Sequence, residues 1–172
     1  SGACRQNLPV VEPTRFGRRP GSAGEERDGG GDAAERGGLV MRLIDTVAWV
    51  CVEEGRILGT RSRGRTLFYI PGGKREAGES DLETLVREVR EEVGVELLVE
   101  TVEPAGVYEA EADGHGADAV VRMACYTARH RGVPRAGGEI EEVAWLGYAD
   151  RDRTAPVDRV VFDDLRNAGL LS

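Results

Sequence analysis

Residues Gly73–Val95 read GKREAGESDLETLVREVREEVGV, and this stretch decides the fold. Gly73 is followed after five residues by Glu79, and after seven more by Arg87-Glu88-Val89. One residue later come Glu91-Glu92, and one after that Gly94-Val95. At average residue usage, nine fixed positions of this kind are met by chance roughly 10⁻⁹ times per starting position. Ser80-Asp81-Leu82-Glu83 is a capping box, which predicts the start of a helix because hydroxyl and carboxylate satisfy its first N–H groups. Gly94 suits the left-handed residue that closes one. Between them Leu82, Leu85, Val86, Val89 and Val93 recur at helical spacing and predict one buried stripe. At about 100° per residue, Glu88, Glu91 and Glu92 fall within about 100° of arc, on one shoulder of that stripe.

Three carboxylates so close repel one another unless something cationic sits among them. A hard divalent cation suits them, because Mg²⁺ takes oxygen ligands from one or two carboxylates and from substrate phosphates. A solvated helix laced with the i,i+4 pairs Glu83–Arg87 and Arg87–Glu91 is the plainer explanation. It does not account for three acids on one shoulder without a basic partner among them. Nor does it account for Gly72-Gly73 and Glu79 at fixed distances upstream.

The pattern G-x5-E-x7-R-E-U-x-E-E-x-G-U, with U aliphatic, resembles the Nudix box, the signature of the Nudix hydrolases. The resemblance covers Asp45 to the C-terminus, and the box is its diagnostic part. It implies an α/β fold, an α/β/α sandwich with a mixed sheet. It also implies a hydrolase that uses Mg²⁺ or Mn²⁺ to cleave a diphosphate linkage. Carried over residue by residue, Glu88 and Glu92 match the metal-binding glutamates. Glu91 matches a further ligand or the base for the attacking water. Gly72 matches the residue whose carbonyl completes the metal shell, and Arg87 and Glu79 match a pair that orients the carboxylates. MutT-like members take another acidic ligand six residues before a strand tryptophan. Trp145 places that position at Glu139, with Glu141 and Glu142 as rivals and an acidic surface loop as the plain alternative. Substrate contacts are expected from Gly73, from Lys74, and from Arg61 at the end of a strand. Arg63 and Arg65 read as solvated loop charges. Tyr69, Tyr108 and Trp145 could stack on a base, although each taken singly fits a core or rim role better. His115 and His130 make no ligand spacing. Cys51 reads as a small core residue.

The substrate class follows by elimination. The proline of ADP-ribose hydrolases, the tyrosine of dinucleoside-polyphosphate hydrolases and the NADH-type array all lack counterparts. A MutT-like enzyme acting on a nucleoside triphosphate, or on a nucleoside diphosphate joined to another group, remains. Near the last helix Asp158 is the nearest polar side chain to a base-reading position, and an N-cap role is its simpler account. The alternatives are a Nudix-fold sensor that binds a nucleotide without turnover and an isomerase acting on an isoprenoid diphosphate. The expected partner is a small-molecule nucleotide, with a homodimer left open.

The chain has 172 residues and a formal charge of −8, which suggests one acidic domain. Residues 1–40 hold six arginines against six acids, so the charge sits wholly in residues 41–172. Gly17–Gly38 offers almost nothing to bury, which predicts a disordered extension before a 41–172 domain. The acidic balance argues against a nucleic acid polymer as partner. No stretch is apolar for long enough to span a membrane. Three cysteines, Cys4, Cys51 and Cys125, form no CxxC pair, and a cytoplasmic setting is expected.

Apolar alternation predicts strands at Asp45–Val52, Arg56–Arg61, Leu67–Ile70, Val107–Ala112, Val120–Thr127 and Glu142–Leu146, with Val95–Val102 extended. Pro156 opens a final helix with Val157, Val160, Val161 and Leu165 on its apolar face.

Overall fold

Alternation along the first strand sets up two cores, one on each face of the sheet. A computed structural model describes residues 41–114 and 118–172. The expected extension 1–40 and His115 lie outside them. In β1 (Arg42–Trp49) and the link beyond it, Val47, Trp49 and Cys51 point to one face. Ala48, Val50 and Val52 point to the other. Successive side chains of an extended chain do this by geometry. β2 (Val52–Glu53) and β3 (Arg56–Ser62) form a hairpin through Glu54-Gly55, both at positive φ. β4 (Gly72–Lys74) leads into helix α1 (Asp81–Val93). Then come β5 (Glu96–Leu97), β6 (Glu103–Glu111), β7 (Ala119–Thr127), β8 (His130–Arg131) and β9 (Ile140–Leu146). Helix α2 (Pro156–Asn167) follows.

One sheet has the order β4-β1-β7-β6, with β1 and β7 parallel and the other pairs antiparallel. It is therefore mixed, as expected. A second sheet, β2-β3-β9, is antiparallel, and β5 pairs with β8. Leu85, Val89 and Val93 of α1 pack with Val47, Trp49 and Leu58 on one side. Val157, Val161, Phe162 and Leu165 of α2 pack with Phe68, Ile70, Tyr108 and Met123 on the other. The α/β/α layering follows from these two clusters.

Three local expectations are corrected. The first strand ends at Trp49, not Val52. Val50 N–H still donates to Tyr126, but the Cys51 carbonyl accepts from Leu58 N–H, so the chain passes from one sheet to the other there. Leu67–Ile70 forms only two isolated bridges, Thr60 to Tyr69 and Phe68 to Thr154, before Pro71. Leu82 is exposed and Thr84 is buried in its stead. The two lie about 200° apart on the helix, so burying one turns the other outward. The Thr84 hydroxyl earns its place by bonding to Glu79 Oε2 at 2.9 Å and to the Ser80 carbonyl at 3.0 Å.

Among the described residues, no helix is long and apolar enough to cross a membrane.

Candidate active site

The capping box forms as the residues require. Ser80 Oγ accepts from Glu83 N–H at 3.2 Å, and Glu83 Oε2 accepts from Ser80 N–H at 2.8 Å. Gly94 closes the helix at φ 67°. With both ends fixed, the carboxylate shoulder faces β4, whose Gly73 pairs with Val47 and whose Gly72 pairs with Ala48.

The two glycines hold that shoulder at close range. Gly72 N–H donates to Glu92 Oε2 at 3.0 Å. A Cβ on Gly73 would stand 2.4 Å from Glu88 Oε1, and one on Gly72 would stand 2.0 Å from the Val47 carbonyl. Only bare backbone fits between β1 and the helix. Arg87 ties the shoulder to the preceding loop. Its Nε and Nη2 grip the two oxygens of Glu79 at 2.6 and 2.9 Å, and its Nη1 reaches Glu88 Oε1 at 2.9 Å. Its Nη2 also donates to the Lys74 carbonyl at 3.2 Å. Arg87 Nη1 lies 3.6 Å from Glu91 Oε2 as well. The acids therefore do have a basic partner in Arg87, and the expectation of three acids without one is corrected.

Electrostatics separate the carboxylates. The Arg87 guanidinium holds Glu79 down to about 2, helped by Glu76 N–H. Burial pushes Glu92 up to about 8, against the Gly72 N–H, and the neighbouring Glu88, Glu139 and Glu91 add to the rise. Burial also raises Glu88, with Arg87 opposing it.

An open cleft of about 430 Å³ runs beside this cluster, lined by Gly72, Gly73, Lys74, Glu92 and Glu139 among others. Glu139 reaches it because its loop docks on the end of α1. Gly137 N–H donates to the Glu92 carbonyl at 2.9 Å, and Arg135 N–H donates to the Val93 carbonyl at 3.0 Å. A Cβ on Gly137 would stand 2.7 Å from the Glu91 carbonyl, so this approach also needs glycine. Glu141 and Glu142 are drawn elsewhere. Arg61 faces Glu142 across β3 and β9, donating to its Oε2 at 2.8 Å and to Glu141 Oε2 at 2.8 Å.

That pairing overturns the expectation for Arg61, which does not line the cleft. Arg63 and Arg65, read as solvated loop charges, do line it. Arg63 N–H is bonded to the Glu139 carbonyl at 3.0 Å, which sets the basic loop beside the acidic one. Glu91 is more than half exposed and does not line the cleft; joining an ion there would cost it the Arg87 contact. Of the aromatics, Tyr69 lines the cleft and donates to Asp113 Oδ2 at 3.0 Å, whereas Tyr108 is core. Trp145 is half-buried and packs against the α1-side cluster.

Asp158 is the residue that sequence reasoning misplaced. The N-cap of α2 is Ala155, and Asp158 sits in the first turn, 1% exposed, at the cleft wall. Burial pushes its carboxyl up to about 8, against a hydrogen bond from Ile70 N–H, and Oδ2 has no partner. The only signal in the sequence was an acid among the apolar positions of a terminal helix.

The family model of the NUDIX domain matches residues 41–165. The chain belongs to the Nudix family. This Nudix chain is 34% identical over 146 residues to a protein described as mutator protein MutT4 of Mycobacterium tuberculosis (strain CDC 1551 / Oshkosh). That match covers 77% of this chain and 57% of the relative. It is 38% identical over 63 residues to the CTP pyrophosphohydrolase of Escherichia coli (strain K12), covering 34% of this chain and 47% of the relative. The chain thus spans about half the length of these curated relatives. The solution structure of the E. coli ORF135 protein matches the Nudix fold seen here with a TM-score of 0.58 and 27% identity. It covers 74% of this chain and 94% of that one.

Proposed function

We propose that the protein is a Nudix pyrophosphohydrolase, with Mg²⁺ or Mn²⁺ as cofactor and a nucleoside triphosphate or nucleoside diphosphate-X as substrate. The observation that carries this is an all-oxygen set: Glu92 and Glu139 line one cleft with Lys74, Arg63 and Arg65, and the Glu88 carboxylate lies against Gly73 of the same lining. The residues fit a hard cation: the donors are oxygens, and the charges of Glu88, Glu139 and Glu91 all bear on the Glu92 carboxyl. Glu88, Glu92, Glu139 and the Gly72 carbonyl would hold it, with Glu91 as a further ligand. Bound there, a divalent ion polarises phosphoryl oxygens and lowers the pKa of a water.

The chain's own groups do the rest. Lys74, Arg63 and Arg65 orient the phosphates. Arg87 and Glu79 hold the Glu88 carboxylate in place. The attacking water gives its proton to the carboxylate of Glu91 or of Glu139. The pH–rate profiles of Glu91→Gln and Glu139→Gln separate the two, because loss of the base flattens the acidic limb. Glu139→Gln is expected to lower the rate substantially and raise the Mg²⁺ needed for half-maximal activity. Glu141→Gln and Glu142→Gln are expected to do far less, since Arg61 already occupies both. Wild-type kinetics in Glu139→Gln would place the last ligand elsewhere.

The inner wall of the cleft takes the base. Asp158, as a neutral acid, offers one O–H and one carbonyl oxygen beside Tyr69 and Met123. We expect Asp158→Asn to change the ranking of bases by about tenfold, a hydrogen-bond-sized effect. The sign of its effect on stability is also set. The folded acid, near 8, holds its proton above the unfolded value, so Asp158 costs stability as pH rises from about 4 to 8. The variant should lose that slope in melting temperature. An unchanged base ranking would remove Asp158 from the substrate.

A screen of nucleoside triphosphates and diphosphate conjugates with Mg²⁺ tests the whole proposal. Release of pyrophosphate or phosphate from a triphosphate, or of a nucleoside monophosphate and the phosphorylated group from a conjugate, supports it; tight binding without release would make the protein a sensor.

A further inference from the structure

A second cluster lies at the far end of β1, on the order of 10 Å along the chain from the Val47–Gly73 pair. There Cys51, Glu53 and His130 bring a thiol sulfur, a carboxylate oxygen and an imidazole nitrogen within 4.8 Å of one another. They come from the β1–β2 link, from β2 and from β8, so the fold rather than one loop assembles them. Cys51 is fully buried, Glu53 is half-buried, and His130 is 7% exposed. The His130 ring is fixed edge-on against Trp49, with centroids 5.1 Å apart. Its Nδ1 is buried without a hydrogen-bond partner. A buried ring nitrogen left unpaired is costly and uncommon, and it calls for a missing partner.

The geometry points to a second metal site, in which Cys51 Sγ, a ring nitrogen of His130 and a Glu53 carboxylate oxygen bind one Zn²⁺ ion. The donor set decides the ion. Sulfur and imidazole nitrogen suit Zn²⁺ and related transition ions, whereas Mg²⁺ takes oxygen. At Zn–ligand distances of about 2.0–2.3 Å, tetrahedral donors stand about 3.5 Å apart. The three side chains therefore close by about 1 Å in each pair, through small rotations about their own side-chain bonds. The Cys51 thiol proton passes to solvent on binding. Three protein ligands leave a fourth position for water. An ion here would pin the β1–β2 link to β8, remote from the cleft, and would stabilise the fold without entering the hydrolysis.

The test uses the full chain, stripped with chelator and held in millimolar Mg²⁺ so that the oxygen cluster keeps its own ion. Co²⁺ is then titrated and the absorption spectrum followed. A thiolate-to-cobalt charge-transfer band should saturate at one ion per chain, and Zn²⁺ should displace it. Zn²⁺ should also raise the melting temperature by several degrees, because it binds only the folded chain. Glu92→Gln should leave the band intact. Cys51→Ser should abolish it, and His130→Asn and Glu53→Gln should each weaken Co²⁺ binding at least tenfold. Glu53 is partly exposed, so its variant keeps the test decisive if the buried substitutions fail to fold. Absence of the band in the wild type overturns the site. So does a band that survives Cys51→Ser, or one that neither His130→Asn nor Glu53→Gln weakens.

Discussion

Glu92→Gln should nearly abolish Mg²⁺-dependent turnover while the metal-free protein melts at the same temperature or higher. The loss should exceed the roughly 10–100-fold typical of a group that only supports a ligand. The Gly72 N–H can still bond to the amide oxygen, so the backbone around the site need not move. What disappears is a charge that burial and three neighbouring acids already resist. The folded Glu92 carboxyl, near 8, sits above its unfolded value near 4.5. Between those values the folded state holds the extra proton, so its stability falls as pH rises through the window. Glu92→Gln should flatten that fall. The same proton competes with the cation, so the Mg²⁺ needed for half-maximal rate should drop as pH rises towards 8. Thermal melts without metal from pH 5 to 9, set beside rates at each pH, check both halves.

Arg87→Lys should cost about 10²-fold in kcat with KM little changed. Charge is kept, but a lysine cannot grip both oxygens of Glu79 while also reaching Glu88 and the Lys74 carbonyl. Arg87 acts through Glu88, so it is a positioning residue, and misplacing a reacting group by about an ångström is enough for such a loss. Glu79→Gln should lower kcat in the same way. The double variant should be scarcely worse than either single one, because both break one contact. Additive losses would show that the two residues act separately. Stability should fall by only about 1 kcal/mol, since one set of hydrogen bonds is weakened and no charge is stranded.

The helix that carries the site was legible because its signals are local. A capping box, a terminal glycine and a 3.6-residue period act within one element; both caps appear where the residues place them, and the period holds at Leu85, Val89 and Val93. The offset from Trp145 singled out Glu139, and the loop before β9 brings that residue to the cleft wall. What failed depends on contacts between distant segments. Arg61 looked like a phosphate ligand until the β3–β9 register set Glu142 opposite it. Arg63 and Arg65 looked like loop charges because no local pattern shows that their loop is tied to Glu139. Asp158 looked like a cap because its burial comes from α2 docking beside Ile70. Leu82 fitted the apolar period, yet Thr84 took the inward arc once Glu79 and Ser80 offered its hydroxyl two acceptors. His130 showed no ligand spacing because its neighbours Cys51 and Glu53 are close only in space.

The central claim is that the carboxylates gathered by Gly72 and Gly73 serve a divalent ion in hydrolysing a phosphoric anhydride. It is tested most directly by adding Mg²⁺ back to chelator-treated protein and following turnover of the best nucleotide from the screen. Wild type should be inactive without the ion and recover along a saturating curve, and Glu92→Gln should stay inactive at every Mg²⁺ concentration. Full activity in chelator, or full recovery of Glu92→Gln, would contradict it.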